Sequence, residues 1–126
     1  MSHQGNQDSN WDERRIAVRH PGNPESSCRF KTTEEQEEAT AGIWNISSEG
    51  ICLVVGRQLT PGVPFSVELH SPDREFSCRL PVQAIHTTRR YSGAWMVGGS
   101  FLDARLNTDQ LRSLLGRDPA LSEVTV

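Results

Sequence analysis

The stretch FSVELHSPDREFSCRLPVQA, residues 65–84, decides the fold class of this chain. In its first part, Phe65, Val67 and Leu69 alternate with polar residues, and a second run from Phe76 onward alternates in the same way. Such alternation is typical of β-strands that bury one face, and the Ser, Pro and Asp between the runs are turn formers. The stretch therefore predicts two half-buried strands with a turn between them.

Similar signals occur on both sides of this stretch. Pro81 falls on the polar parity of its run, which predicts an edge or a bulge there. Gly98 and Gly99 permit a kink or a close approach of the backbone in the last strand. The acidic run at 34–38 is interpreted as a solvated hairpin loop. The remaining strand candidates, each bounded by turn residues, are 28–32, 39–46, 51–55 and 93–102.

The pattern changes to a helical one near the C-terminus. Asn107 or Thr108 can cap a helix in which three leucines between 111 and 115 share one face, and Gly116 ends it. We therefore predict an all-β fold, a six-stranded antiparallel β-barrel with a C-terminal helix over one end and a flexible N-terminal arm. The same strands also fit a two-sheet sandwich.

Length and composition fit one domain, since 126 residues lie within the size of a typical domain. Two prolines and a glycine within residues 20–24 favour an extended segment there. The predicted divisions are a disordered N-terminus 1–13, one domain at 14–116 with an arm 14–27, a barrel 28–103 and a helix 107–116, and a tail 117–126.

Several classes of protein are disfavoured. No apolar run approaches the length of a membrane span and no secretory signal is visible, so we expect a cytoplasmic protein without membrane insertion. A net charge of −3 argues against binding to long nucleic acids, and the tryptophans form no stacking run; Trp44 and Trp95 are assigned to core or rim packing. No catalytic motif is found, and we expect no enzyme.

The thiols and imidazoles give no sign of a cofactor. The three cysteines are far apart and lack a CxxC pair, which favours small buried hydrophobes over a zinc or redox site. The four histidines are scattered without metal-ligand spacing. We therefore expect neither a metal nor a bound cofactor.

Arginine dominates the basic residues, because twelve of the 13 are arginine. The planar guanidinium fork matches phosphates and base edges better than the ammonium group of lysine does. With a net acidic chain, this composition leaves room for a local arginine site that binds a small anionic ligand.

Two short motifs could supply that site. In ERRIAVR, residues 13–19, Arg15 and Arg19 form an RxxxR spacing with Arg14 adjacent. In NISSEG, residues 45–50, the motif is NxSxxG between two strands, where side chains of Asn45 and Ser47 can point outward. The glycine that ends this motif can supply a positive φ or a close approach to a ligand. Each motif alone also has an ordinary explanation, a solvated basic patch or a tight turn.

Together, the two motifs resemble the PilZ domain family, over roughly residues 13–116. The run GGSFLD at 98–103 looks like the closing strand of that family. Arg14, Arg15 and Arg19 match the family's arginines, and the turn motif is matched by Asn45, Ser47 and Gly50. Glu49 stands where members often have a second glycine, which adds a negative charge near an anionic ligand.

The resemblance implies a six-stranded barrel that binds the bacterial second messenger cyclic di-GMP. The implied ligand contacts are Arg14, Arg15, Arg19, Asn45, Ser47 and Gly50. We expect the ligand to order the arm against the barrel, so that an unidentified effector protein in trans reads the new surface. The alternative is a ligand-independent PilZ-like module that acts through protein contacts, for which the Arg89-Arg90-Tyr91 loop is a possible surface.

Overall fold

The computed structural model describes residues 18–90 and 92–119. About half of this part of the chain is strand, and a helix, α1, follows at Thr108–Leu115. The strands in chain order are β1 His20–Pro21, β2 Ser27–Thr32, β3 Ala39–Ile46, β4 Gly50–Val55, β5 Pro64–His70, β6 Ser77–Arg89 and β7 Trp95–Phe101.

Six of these strands close into an antiparallel barrel. The order is β3-β2-β5-β6-β7-β4, and pairing of β3 with β4 joins the two ends. The short β1 is added to the outside of this ring on β3. Because closure leaves none of these six strands as a sheet edge, the predicted six-stranded barrel is confirmed and the sandwich alternative is wrong.

The core follows the alternation that the sequence displays. Phe65, Val67 and Leu69 of β5 point inward and are at most 3% exposed. Val82 and Ala84 of β6 do the same from the neighbouring strand. The barrel therefore has a closed apolar interior, and the polar groups of these strands lie on its outer face.

Helix α1 covers one end of the barrel. Its N-cap is Asn107, whose side chain accepts a hydrogen bond from the Gln110 amide while the Gln110 side chain accepts one from the Asn107 amide. Gly116 ends the helix in a left-handed conformation with φ 70°. The three leucines on one face of α1 are buried in the core, and these are Leu111, Leu114 and Leu115.

Strand β6 is irregular, although not at Pro81 as predicted. This strand pairs with β5 on one side and β7 on the other, so it is not an edge. The register shift falls between Ala84 and His86, which leaves Ile85 as the extra residue of a β-bulge. The carbonyl of Pro81 still accepts a hydrogen bond from the Leu102 amide.

The described part of the predicted arm, residues 18–27, packs against the barrel. His20 and Pro21 pair with Ile46 and Asn45 of β3. Further along, the Asn23 side chain donates to the last turn of α1 at the carbonyl of Leu115, 2.8 Å away. Segment 20–27 therefore contacts both β3 and α1, and the predicted ordering of the arm by a ligand stays a prediction.

Candidate functional site

The site begins with the turn between β3 and β4, whose shape depends on Ser47. The Ser47 hydroxyl accepts hydrogen bonds from the amides of Glu49 and Gly50, each at 3.1 Å. Its own amide donates to the Gly50 carbonyl at 2.9 Å. Ser47 is only 1% exposed, so the expected outward orientation is wrong for this side chain. Two turn amides need an acceptor, and the inward hydroxyl supplies it.

Gly50 follows this turn, and its expected positive φ is absent from the structure. The position needs glycine for a different reason. A Cβ atom there would lie 2.5 Å from the carbonyl oxygen of Gly99, on the adjacent strand β7. It would also lie 3.3 Å from a guanidinium nitrogen of Arg19. Glycine therefore lets β4, β7 and an arginine side chain meet closely at this point.

Arg19 lies against the same corner of the barrel. Its Nη1 donates a hydrogen bond to Oδ1 of Asn45 at 3.0 Å, and its side chain is exposed. Within residues 18–90 and 92–119, Arg19 makes no ion pair with a carboxylate. A neutral amide thus orients the guanidinium, and no carboxylate of the described residues compensates its charge.

Four of the six predicted site residues therefore lie together. Arg19 contacts Asn45 and approaches Gly50, and Ser47 holds the turn between them. The other two, Arg14 and Arg15, lie outside the described residues. The role of all six in binding a ligand stays a prediction.

A cleft of about 540 Å³ opens beside this corner, and we call it the turn cleft. Its floor is made of the backbone of strands β4 and β7 where glycines replace side chains. Its walls are contributed by the N-terminal segment, by the β3–β4 turn and by the β-bulge of β6. The lining residues are Arg19, Ser47, Glu49, Gly50, Ile85, His86, Gly98, Gly99 and Ser100.

His86 and Ile85 form the wall contributed by β6. A Cβ atom on Gly98 would come within 2.5 Å of Cε1 of His86, so the imidazole lies over the bare backbone of Gly98. Ile85, the bulge residue, is 55% exposed. An aromatic ring and an aliphatic side chain at a polar cleft provide apolar surface against which a flat base can pack.

A second cleft of about 430 Å³ lies on the other side of Arg19, and we call it the tryptophan cleft. The register of β3 with β4 shifts between Ile43 and Asn45, so that Trp44 is the extra residue of another bulge. Trp44 is 50% exposed, so core packing is the wrong interpretation and rim packing the right one. The lining residues are Arg19, Pro21, Gly22, Ile43, Trp44 and Asn45.

Arg90 packs on Trp44 with its guanidinium carbon 5.0 Å from the ring centroid. This cation–π contact joins the β6–β7 hairpin to β3. Cys52 lies close by, because it pairs with Asn45 of β3, and its thiol is therefore within reach of the charges of Arg19 and Arg90. Burial raises the pKa of Cys52 and the two guanidinium groups oppose that rise. Cys52 is thus a protonated, buried thiol at neutral pH.

Glu49 lines the turn cleft, and it has a partner that sequence reasoning missed. Its carboxylate forms an ion pair with Arg105 at 3.0 Å. Arg105 lies in the connection between β7 and α1, 56 positions along the chain. No local sequence signal joins the two residues, because only the closed barrel brings them together.

Two further features concern classes of function. In the described residues, no group of three or more His, Cys, Asp or Glu side chains is placed to hold a metal ion. Across the same residues, no helix has the length and apolar character required to cross a membrane.

Comparisons with known proteins agree with this architecture. The family model of the PilZ domain matches residues 13–117. Among solved structures, the Bacillus subtilis inhibitor of motility (MotI/DgrA) is similar with a TM-score of 0.58 and 17% sequence identity. The match covers 78% of this chain and 46% of the Bacillus protein, so this chain corresponds to about half of that one. A search of curated proteins found no match.

Proposed function

Because this chain belongs to the PilZ domain family, we propose that it is a receptor for cyclic di-GMP. The observation that carries the proposal is the meeting of Arg19 with the NxSxxG turn, at a hydrogen bond of 3.0 Å between Arg19 and Asn45. These residues come from separate motifs, and the barrel brings them to one cleft.

The chemistry of the ligand fits the turn cleft. Cyclic di-GMP carries two phosphates, and the exposed guanidinium of Arg19 has no carboxylate partner in the described part of the chain. An arginine fork can bind a phosphate or the O6/N7 edge of guanine through paired hydrogen bonds. Such charge-assisted bonds contribute about 1.5–3 kcal/mol each. Arg14 and Arg15 would add to this site from the preceding segment.

The protein side chains have different roles in the proposed site. Arg19 binds the anion and Asn45 orients it, with spare hydrogen-bonding capacity toward a guanine edge. Ser47 holds the turn amides in place, so its contribution is to shape the cleft more than to contact the ligand. The glycine floor admits the ligand close to the backbone, and His86 and Ile85 offer packing surface.

We also propose that a partner protein reads the occupied site. Trp44 and Ile85 are the large apolar side chains that stand exposed in the described residues, and both line the clefts beside Arg19. A partner could therefore contact ligand and apolar side chains together.

The test is a calorimetric titration of the full chain with cyclic di-GMP, with GTP and cyclic di-AMP as controls. We expect saturable binding of cyclic di-GMP in the micromolar range, about −8 kcal/mol, and no comparable binding of the controls. Arg15→Ala should weaken binding. Incubation with the pure protein should yield no linear dinucleotide, as expected of a receptor that is not an enzyme.

The alternative is a ligand-independent module for protein contacts, favoured by the exposure of Trp44 at 50% and Ile85 at 55%. Both side chains line clefts that share Arg19, and exposed apolar side chains gathered around one site are typical of contact surfaces. Absence of cyclic di-GMP binding under the titration above would support this module and contradict the receptor.

A further inference from the structure

We propose that Arg105 is a positioning residue of the turn cleft, which compensates the charge of Glu49 so that the cleft accepts an anionic ligand. This inference deepens the proposed function and depends on it. Arg105 does not line the cleft, and the proposal requires no contact between Arg105 and the ligand. Its action is on Glu49, which does line the cleft.

The need for compensation follows from the charges at the cleft. Among the lining residues, Arg19 is the cation and Glu49 the anion at neutral pH, so the two charges cancel. The described lining residues alone would then offer a ligand with two phosphates no net positive charge. Pairing of Glu49 with Arg105 at 3.0 Å shifts this balance, because the added cation offsets the carboxylate. Counted together, the charges of Arg19, Glu49 and Arg105 sum to one positive charge.

The backbone holds this pair in place. The Phe101 amide donates to the Glu49 carbonyl, and the Leu106 amide donates to the Ser48 carbonyl, both at 2.9 Å. Between these two bonds the chain turns at Asp103, which has a left-handed φ of 52°. The connection from β7 to α1 therefore lies along the turn and places Arg105 beside Glu49. Contact between the two side chains is a consequence of this double attachment.

The pair is too exposed to be explained by stability. The Arg105 side chain is 72% exposed and the Glu49 side chain 32%. Ion pairs at such positions contribute little to folding, because water and salt screen them. A carboxylate that lines an anion-binding cleft, in contrast, weakens the ligand directly unless a cation lies next to it. The main effect of Arg105 is thus expected on affinity.

The experiment is a double-mutant cycle measured by calorimetry with cyclic di-GMP at low salt. We expect Arg105→Ala to weaken binding about two- to fivefold, the size typical of a partly exposed charge pair. Glu49→Gln should bind as tightly as the unmodified chain or more tightly. In the Glu49→Gln background, Arg105→Ala should weaken binding clearly less, because no carboxylate then remains for Arg105 to hold and only the general attraction of its charge for the ligand is lost.

Opposite signs of the two single substitutions separate charge compensation from a structural role. If the pair only held the turn in shape, both would weaken binding alike, and that result overturns the inference. A loss from Arg105→Ala of the same size in both backgrounds would indicate that Arg105 acts on the ligand itself and not through Glu49, and it also overturns the inference. Arg112→Ala is the matched control, because Arg112 forms a surface pair with Asp109 on α1, and it should leave affinity unchanged.

The same data separate this inference from the proposed function. If the unmodified chain does not bind cyclic di-GMP, the receptor and the role of Arg105 are both overturned. If the unmodified chain binds and Arg105→Ala binds equally well, only the role of Arg105 is overturned. Thermal unfolding of each variant should match the unmodified chain within the small effect of an exposed pair.

Discussion

Two clefts of this barrel each contain an arginine beside a β-hairpin, and they use it differently. In the turn cleft, the partner of Arg19 among the described residues is the neutral side chain of Asn45, at 3.0 Å. Beside the β2–β3 hairpin, Arg57 forms an ion pair with Glu35 and stacks on Phe30, 5.4 Å from the ring centroid. This second site, which we call the hairpin cleft, has a volume of about 310 Å³. Its lining residues are Thr32, Thr33, Glu34, Glu35, Arg57, Gln58, Leu59, Thr60 and Val63.

The difference shows what distinguishes a structural arginine from a binding one. Arg57 already has its carboxylate and its aromatic face, so an incoming anion would have to displace a protein partner. Arg19 is held in position by a neutral group, so an anionic ligand can pair with its positive charge without displacing a carboxylate of the described residues. We therefore expect substitution of the two arginines to have different effects on ligand affinity.

The largest expected effect is on ligand affinity, when each of the two arginines is replaced by alanine in turn and the losses are compared. Arg19→Ala should weaken cyclic di-GMP binding by about 10- to 150-fold, since a charge-assisted bond contributes about 1.5–3 kcal/mol. Arg57→Ala is the matched control and should leave affinity unchanged. Calorimetric titration measures both, and equal losses in the two variants would remove the distinction between the clefts.

The glycine floor is tested by adding a single methyl group. Gly50→Ala should destabilise the fold by about 1–3 kcal/mol, because the new Cβ would lie 2.5 Å from the Gly99 carbonyl oxygen and backbone cannot move aside easily. Gly56→Ala, where the new atom meets nothing within 4 Å, should be tolerated. Urea unfolding compares the two, and a Gly50→Ala variant as stable as Gly56→Ala would contradict the close strand approach.

The two turns differ in how deeply their capping groups are buried. Ser47→Ala should cost about 1–2 kcal/mol of folding free energy, because the amides of Glu49 and Gly50 lose their shared acceptor in a buried turn. Glu35→Gln, at the exposed β2–β3 turn, keeps a carbonyl acceptor for the Thr32 amide and should cost less. Chemical denaturation measures the loss of folding free energy in each variant. A larger loss from Glu35→Gln would contradict the role of the Ser47 hydroxyl as the acceptor that holds the β3–β4 turn.

The smallest expected effect is a pH dependence confined to the hairpin cleft. The hydrogen bond from the Thr32 amide lowers the pKa of Glu35 below its usual 4.5, helped by the Thr32 hydroxyl and Arg57. A lowered folded-state pKa adds stability that is present above pH 4.5 and lost as the pH falls through the lower value. The stability difference between the unmodified chain and Glu35→Gln should therefore shrink from pH 7 to pH 3. The Ser47→Ala difference should not, since a hydroxyl does not titrate there; equal shrinkage in both would contradict the assignment.

Much of the fold was predictable from the sequence because alternation records burial directly. The parity of Phe65, Val67 and Leu69 indicates which face of β5 is buried, and Asn107 and Gly116 are the caps of α1. The β-bulges were not predictable at their true positions. An extra residue opposite a partner strand depends on register across the barrel, which alternation along one strand does not contain.

The parts of the site that lie within one short motif were predictable from the sequence. The contacts between residues far apart in the chain were not. The spacing of Asn45, Ser47 and Gly50 marks the turn, whereas the inward role of the Ser47 hydroxyl depends on which turn amides lack a partner. The pairing of Glu49 with Arg105 depends on barrel closure, so no local sequence pattern predicts it.

The most direct measurement is an amide chemical-shift titration of the unmodified chain with cyclic di-GMP. We predict that the amides of Glu49, Gly50, Gly98 and Gly99 shift in a saturable way, because they belong to the turn cleft. Amides of the hairpin cleft, such as that of Arg57, should stay in place. Saturable shifts confined to the hairpin cleft, or no shifts at any ligand concentration, would contradict the claim that Arg19 and the β3–β4 turn form the ligand site.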